Sequence, residues 1–104
     1  MNKRETYTLY KKATKDKLGL NESDFCTFRL IGKTLNRIYT RSCNGEITEE
    51  KYEKLVKVQG ARSDRLAEKL GLFIYYQTDP RGATIYLDKE PIPENNYNQA
   101  CCIY

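Results

Sequence analysis

Aromatic or polar side chains alternate with mainly aliphatic ones along two short segments of this 104-residue chain, on either side of Asp79-Pro80-Arg81-Gly82. Asp, Pro and Gly occupy the first, second and fourth positions of that sequence, which is typical of a type I turn. The segments therefore predict a β-hairpin in which Thr78 lies opposite Ala83. By the two-residue period of a strand, one face of the hairpin, here called the aromatic face, carries Phe73, Tyr75, Gln77, Thr84, Tyr86 and Asp88.

The aromatic face is the strongest candidate for a binding surface in the chain. Aromatic and neutral polar groups on a sheet suit a protein–protein interface, a homodimer contact, or the stacking of unpaired bases. If residues 100–104 form a third strand, Tyr104 joins this face. With the turn included, the candidate interaction surface is Phe73, Tyr75, Gln77, Asp79, Arg81, Tyr86 and Tyr104. The opposing interpretation is that the N-terminal segment, which also contains tyrosine and leucine, folds across the face and buries it.

Turn chemistry explains most of the polar residues at the tip of the hairpin. Asp79, Pro80 and Gly82 each have a structural role in a type I turn. Arg81 is not required by the turn, and it is therefore the first residue of the tip to test by mutation.

A second set of residues could hold an anionic ligand. From residue 25 to 43 the apolar side chains recur at helical spacing and predict an amphipathic helix. The basic stripe on the opposite side of that helix consists of Arg29, Lys33, Arg37 and Arg41. Residues 1–17 add six basic side chains, including Lys11 and Lys12, against two acidic ones, whereas the rest of the chain is neutral. Stripe and arm could contact nucleic-acid phosphates or an acidic protein, and the alternative is a solvated helix face and tail.

The usual equipment of an enzyme is missing from the sequence. There is no histidine, so activation of a Ser or Cys nucleophile by histidine is excluded. The four cysteines include the adjacent pair Cys101-Cys102, and their spacing matches no zinc site. Neither a Gly-rich phosphate loop nor a pair of carboxylates in a catalytic setting is present. We therefore expect a protein that is not an enzyme and holds no metal or cofactor.

Two long helices and the hairpin must position these side chains. The first helix covers 23–43 and ends at Asn44-Gly45, and Thr48 is the expected N-cap of the second. The second keeps one apolar phase over 49–70, which predicts a single helix, with a break at Gly60 as the alternative. The expected fold class is α+β, with two antiparallel helices packed on a small antiparallel sheet of two or three strands.

Length and composition indicate one domain with a single modest core. We divide the chain into a basic N-terminal arm or short helix at 1–22 and an α+β domain at 23–104. No apolar run approaches the roughly 20 residues that span a bilayer, and the basic N-terminus lacks the apolar segment of a secretory signal. We therefore expect a cytoplasmic protein that does not contact a membrane.

The segment 65–87 resembles a recurrent signature. The run RLAEKLGL at 65–72 is followed by Tyr75, Gln77, DPRG at 79–82 and Tyr86. In these residues the chain is similar to small phage and prophage proteins of unknown function that carry an LGLxxYxQxDPRGxxxY core. The resemblance extends over about residues 28–104 and implies a phage or mobile-element origin, and hence the cytoplasm of a bacterial host. It implies no mechanism and assigns no functional residue.

These observations support two hypotheses about function. In the first, the chain is a non-enzymatic accessory protein of phage type that binds a protein, either a host or defence target or a second copy of itself, through the aromatic face. In the second, it binds nucleic acid with the basic arm, the basic stripe and stacking tyrosines. Salt dependence separates the two hypotheses, because phosphate contacts weaken as the salt concentration rises.

Overall fold

The computed structural model describes residues 2–79 and 82–103 of the chain. This part folds into the helices α1 (Lys3–Leu18), α2 (Glu22–Cys43) and α3 (Glu49–Leu70), followed by the strands β1 (Phe73–Asp79), β2 (Gly82–Asp88) and β3 (Cys101–Cys102). A 3₁₀ helix at Glu94–Gln99 precedes β3. The predicted α+β class is confirmed, and the C-terminal segment does supply a third strand.

Local capping sets the ends of α2 and α3. The Asn21 side chain accepts a hydrogen bond of 2.7 Å from a first-turn backbone N–H, so α2 begins one residue earlier than expected. Thr48 caps α3 as predicted, because its hydroxyl accepts a first-turn N–H at 3.1 Å. Gly71 ends α3 with a φ of 70°, in the left-handed region that favours glycine. Between these caps α3 is one continuous helix and does not break at Gly60.

The N-terminal segment forms α1, one of the two structures that the sequence left open. Lys11 and Lys15 both pair with Glu22 at the start of α2, Lys15 at 2.8 Å, and these hydrogen bonds lower the pKa of that carboxyl to about 2. Farther along the same pair of helices, the Arg29 guanidinium lies 4.5 Å from the centre of the Tyr7 ring. The helices α1 and α2 therefore run antiparallel. At the end of α1 the core gains Leu18 and Leu20.

The sheet has the order β1-β2-β3, with antiparallel pairing throughout. Tyr75 lies opposite Tyr86 in β2, which confirms the predicted register. The pairing continues to Asp79 and Gly82, which the sequence assigned to the loop. On the other side of β2, Tyr86 lies opposite Cys102. The aromatic residues of β1 and β2 thus share one face, as the alternation required.

The other face of the sheet, the inner face, packs on α2 and α3. Residues that form this common core include Phe25, Phe28, Ile31, Leu35, Ala67, Leu72, Ile85, Leu87 and Ile103. Tyr76 also points inward, and its hydroxyl donates a hydrogen bond of 2.9 Å to the Asp64 carboxylate of α3. Burial raises the pKa of Tyr76. The contact ties β1 to α3, just as the apolar core ties β2 to α2.

Asn36 of α2 takes the place of a neighbouring strand where β3 does not reach. The last backbone contact between β3 and β2 is the hydrogen bond from the Ile103 N–H to the Ile85 carbonyl, at 2.8 Å. Two residues earlier on the same edge of β2, the Asn36 side-chain oxygen accepts the Ala83 N–H at 2.8 Å. The Asn36 amide also donates to the Ala83 carbonyl at 3.0 Å. One side chain therefore satisfies both backbone groups of Ala83.

Replacing Asn36 should destabilise the fold measurably. Asn36→Ala leaves the N–H and the C=O of Ala83 without their partners, so we expect the free energy of unfolding to fall by about 1–2 kcal/mol. Arg37→Ala, at the neighbouring exposed position, is the control and should stay within about 0.5 kcal/mol of wild type. Denaturant titration measures both, and equal effects of the two substitutions would contradict this role of Asn36.

Candidate protein-binding surface

The aromatic face points away from the helices and contains a fixed group of rings. Phe73 is 47% exposed, whereas Tyr75 and Tyr86 are half-buried. Tyr97, from the 3₁₀ helix, stacks on Tyr75 with a centroid distance of 5.0 Å and an interplanar angle of 15°. It also meets Tyr86 edge-on at 5.0 Å and 63°. Tyr75, Tyr86 and Tyr97 form a tyrosine cluster in the geometries that aromatic pairs prefer, with exposed Phe73 on the same sheet face.

Sequence reasoning missed the contribution of Tyr97. Residues 94–99 have the polar composition of a loop, but they form the 3₁₀ helix that returns the chain to the sheet. A signal was present, because Tyr97 is the lone aromatic residue among polar neighbours in that segment. A large apolar ring in a polar connection usually has a packing partner. The partner could not be named from the sequence, since it lies more than ten residues away on another element.

The N-terminal segment does not bury the whole aromatic face. Its helix α1 lies at the β3 end of that face, where Tyr10 is close to Cys102, the residue opposite Tyr86. Tyr7 and Tyr10 line an open groove of about 450 Å³ together with residues of β3 and its C-terminal neighbour. Since Phe73 stays exposed, part of the aromatic face is open to a partner.

The remaining residues of the candidate surface are placed only in part. Gln77 is half-buried and lies opposite Thr84 on the aromatic face. The backbone of Asp79 pairs with Gly82. The predictions for Arg81 and Tyr104 lie outside the described residues. The surface that the structure defines is therefore centred on Phe73 and the tyrosine cluster.

Some of the candidate basic residues contact other groups of the chain, and others are exposed to solvent. Arg29 is half-buried against the Tyr7 ring, and Lys11 both pairs with Glu22 and lies 5.6 Å from the centre of the Phe25 ring. These cations already have partners within the chain. Of the basic residues named above as candidate contacts, Lys12, Lys33, Arg37 and Arg41 are exposed. Leu30, which interrupts the basic stripe, is 55% exposed.

The basic stripe and the aromatic face lie on opposite sides of the molecule. The buried side of α2, with residues such as Phe28 and Ile31, packs on the inner face of the sheet. The stripe occupies the solvent side of the same helix, so α2 and the sheet both stand between Lys33 or Arg37 and the tyrosine cluster. A single nucleic-acid strand could not stack on the tyrosines and bind the stripe over a short contact.

The described residues form neither a metal-binding cluster nor a membrane-spanning helix. Within 2–79 and 82–103, no group of three or more His, Cys, Asp or Glu side chains could hold a metal ion. In the same ranges, no helix is both long and apolar enough to cross a membrane.

No protein-family model matches the chain, and neither the curated proteins nor the solved structures gave a match. The chemistry of the surface is therefore argued from its own residues.

A double-mutant cycle tests whether the tyrosine cluster is a coupled unit. We expect Tyr75→Leu and Tyr97→Leu to be non-additive in the free energy of unfolding by about 0.5–1.5 kcal/mol, because each removes the same ring contact. The control pair combines Tyr97→Leu with Tyr52→Leu in the first turn of α3, and should be additive within about 0.5 kcal/mol. Additivity in both pairs would show that the 5.0 Å stack contributes nothing to stability.

Proposed function

We propose that this chain is a non-enzymatic binding protein that docks on a protein partner through its aromatic face. The observation that carries the proposal is the exposure of Phe73 beside the tyrosine cluster. A phenylalanine at 47% exposure is not required to fill the core, which lies on the inner face. Aromatic residues are enriched at protein interfaces and supply much of their binding energy.

The charge of the aromatic face favours protein over nucleic acid as the partner. Among the side chains of this face that the structure describes in β1 and β2, Asp88 is acidic and none is basic. Binding to nucleic acid depends on Lys and Arg contacts to phosphate, and the described side chains of this face supply none. Tyrosine hydroxyls and the Gln77 amide can instead form the neutral hydrogen bonds found in protein interfaces.

The tyrosine cluster also makes binding less costly in conformational entropy. Ordering a flexible side chain at an interface costs about 0.5–1.5 kcal/mol. Tyr75 and Tyr86 are already held by Tyr97, so a partner would meet rings that are largely ordered. Exposed Phe73 is then the anchor that enters the partner, and the tyrosines form the surrounding contact.

The resemblance to phage and prophage proteins extends the proposal to the class of partner. A small accessory protein of that kind would act in the bacterial cytoplasm and bind a host or defence protein. This extension rests on the signature at 65–87. Docking through the aromatic face does not depend on it.

Affinity capture with matched variants tests the proposal. The wild-type chain, its Phe73→Thr variant and a Lys33→Ala/Arg37→Ala variant serve as baits for bacterial lysate, with and without nuclease treatment. Threonine keeps the strand preference of position 73, and the double variant removes exposed charge from the far side. We expect one or more proteins to bind wild type and the double variant, and to lose about 30-fold or more in affinity for Phe73→Thr, because losing an interface anchor costs ~2 kcal/mol or more.

Two results would contradict the proposal. One is equal binding of the same proteins to wild type and Phe73→Thr. The other is capture that depends on Lys33 and Arg37 and disappears after nuclease treatment, which would identify nucleic acid held by the basic stripe.

A further inference from the structure

The two edges of the sheet differ in how far they are covered by other parts of the chain. Along the β3 side, the edge strand has only two residues, α1 lies beside it through the Tyr10–Cys102 contact, and Asn36 satisfies Ala83 beyond its end. Short edge strands and covering elements are recognised ways of preventing strand-to-strand association. This side of the sheet is therefore closed by three separate features.

The β1 side has none of these features. Strand β1 is seven residues long and is the other edge of the sheet. Its sequence, FIYYQTD, contains no proline and no lysine, and its single charge is at the last position. In the described part of the chain no strand pairs with its outer edge. Long edge strands without charge or proline are templates for pairing with another strand.

The register shows which backbone groups of β1 point outward. Ile85 directs its carbonyl to β3 and Ala83 directs both groups to Asn36. Since alternate residues of an antiparallel strand bond to opposite neighbours, the β2 residues that bond to β1 are the even-numbered ones, such as Tyr86. Their bonded partners in β1 include Tyr75, and the residues between them, Ile74 and Tyr76, direct their N–H and C=O groups away from the sheet.

We propose that β1 pairs antiparallel with β1 of a second copy of the chain, which joins two three-stranded sheets into one of six strands. The pairing is between equivalent strands and closes after two copies. The proposal concerns the edge of the sheet, so it stands apart from the identity of the partner that binds the aromatic face.

A second copy is favoured as the occupant because β1 is complementary to itself. With Tyr75 opposite Tyr75 of the second copy, Ile74 lies opposite Tyr76 and Phe73 lies opposite Gln77. Aromatic pairs and aromatic with β-branched pairs are stabilising across antiparallel strands. No two like charges face each other, because Asp79 lies beyond the paired segment. Shifting the register by one residue in each copy would place Phe73 opposite Asp79 and lose this match.

The expected dimer is weak and depends on concentration. The five paired residues extend over about 17 Å at roughly 3.4 Å per residue, which is a short contact. Interfaces at the small end of the range belong to transient complexes. Measurements should therefore cover a wide range of concentration, up to the millimolar range used for NMR.

Amide hydrogen exchange of the wild-type chain is the direct test. The Ile74 and Tyr76 amides point outward, so they should exchange rapidly in dilute protein and about tenfold more slowly once roughly 90% is dimeric by sedimentation. The Tyr75 and Gln77 amides, which bond to β2, are internal controls and should be protected at every concentration. The proposal is wrong if the chain sediments as a monomer throughout, or if it dimerises without protecting Ile74 and Tyr76.

A pair of double variants tests the register. Phe73→Lys with Gln77→Glu places opposite charges across the proposed contact and should retain the dimer. Phe73→Lys with Gln77→Lys places like charges there and should shift the dimer dissociation constant upward by tenfold or more. Both variants lack Phe73, so the difference between them reports edge pairing and is independent of the partner of the aromatic face. Equal dissociation constants would overturn the proposed register.

Discussion

Burial of the apolar side of α2 against the inner face of the sheet is the contact on which the rest of the structure depends. Phe25, Phe28 and Ile31 are fully buried, as are Ile85 and Leu87 of β2. Full burial of one such side chain contributes about 1.5–3 kcal/mol. Because side chains alternate across a strand, the placement of Ile85 and Leu87 inward sends Tyr86 outward. The aromatic face is thus a consequence of the core on the other side.

The position of Phe73 on the face opposite the core leaves its side chain 47% exposed. The sheet has three strands, and α2 and α3 cover one face of it, so its second face depends on the short 3₁₀ helix for cover. Tyr97 packs on Tyr75 and Tyr86 and leaves Phe73 exposed. At the edges of the sheet, α1 and Asn36 cover the β3 side, whereas no strand of the described residues pairs with the outer edge of β1. The aromatic face and the unpaired edge of the sheet both include β1, so both proposals place a partner on this strand.

Local signals made much of this fold predictable, and non-local contacts account for what was missed. Thr48 and Gly71 mark the ends of α3 through bonds within a few residues, and the register of the hairpin follows from its turn and its alternation. Asn36 looks like an ordinary polar residue of a helix, because its partner Ala83 is 47 positions away. Tyr97 and the position of α1 likewise depend on elements that sequence periodicity does not bring together. The aromatic face was predictable, but its cover was not.

The most direct test of the claim that Phe73 is not needed for folding is the free energy of unfolding of Phe73→Thr, measured by denaturant titration beside Ile85→Ala. We expect Phe73→Thr to lie within about 1 kcal/mol of wild type, since position 73 is half open to solvent and threonine suits a strand. Ile85→Ala should cost about 2–4 kcal/mol, because it empties a buried site. A loss for Phe73→Thr as large as that for Ile85→Ala would show that Phe73 belongs to the core, and would contradict its role as a binding anchor.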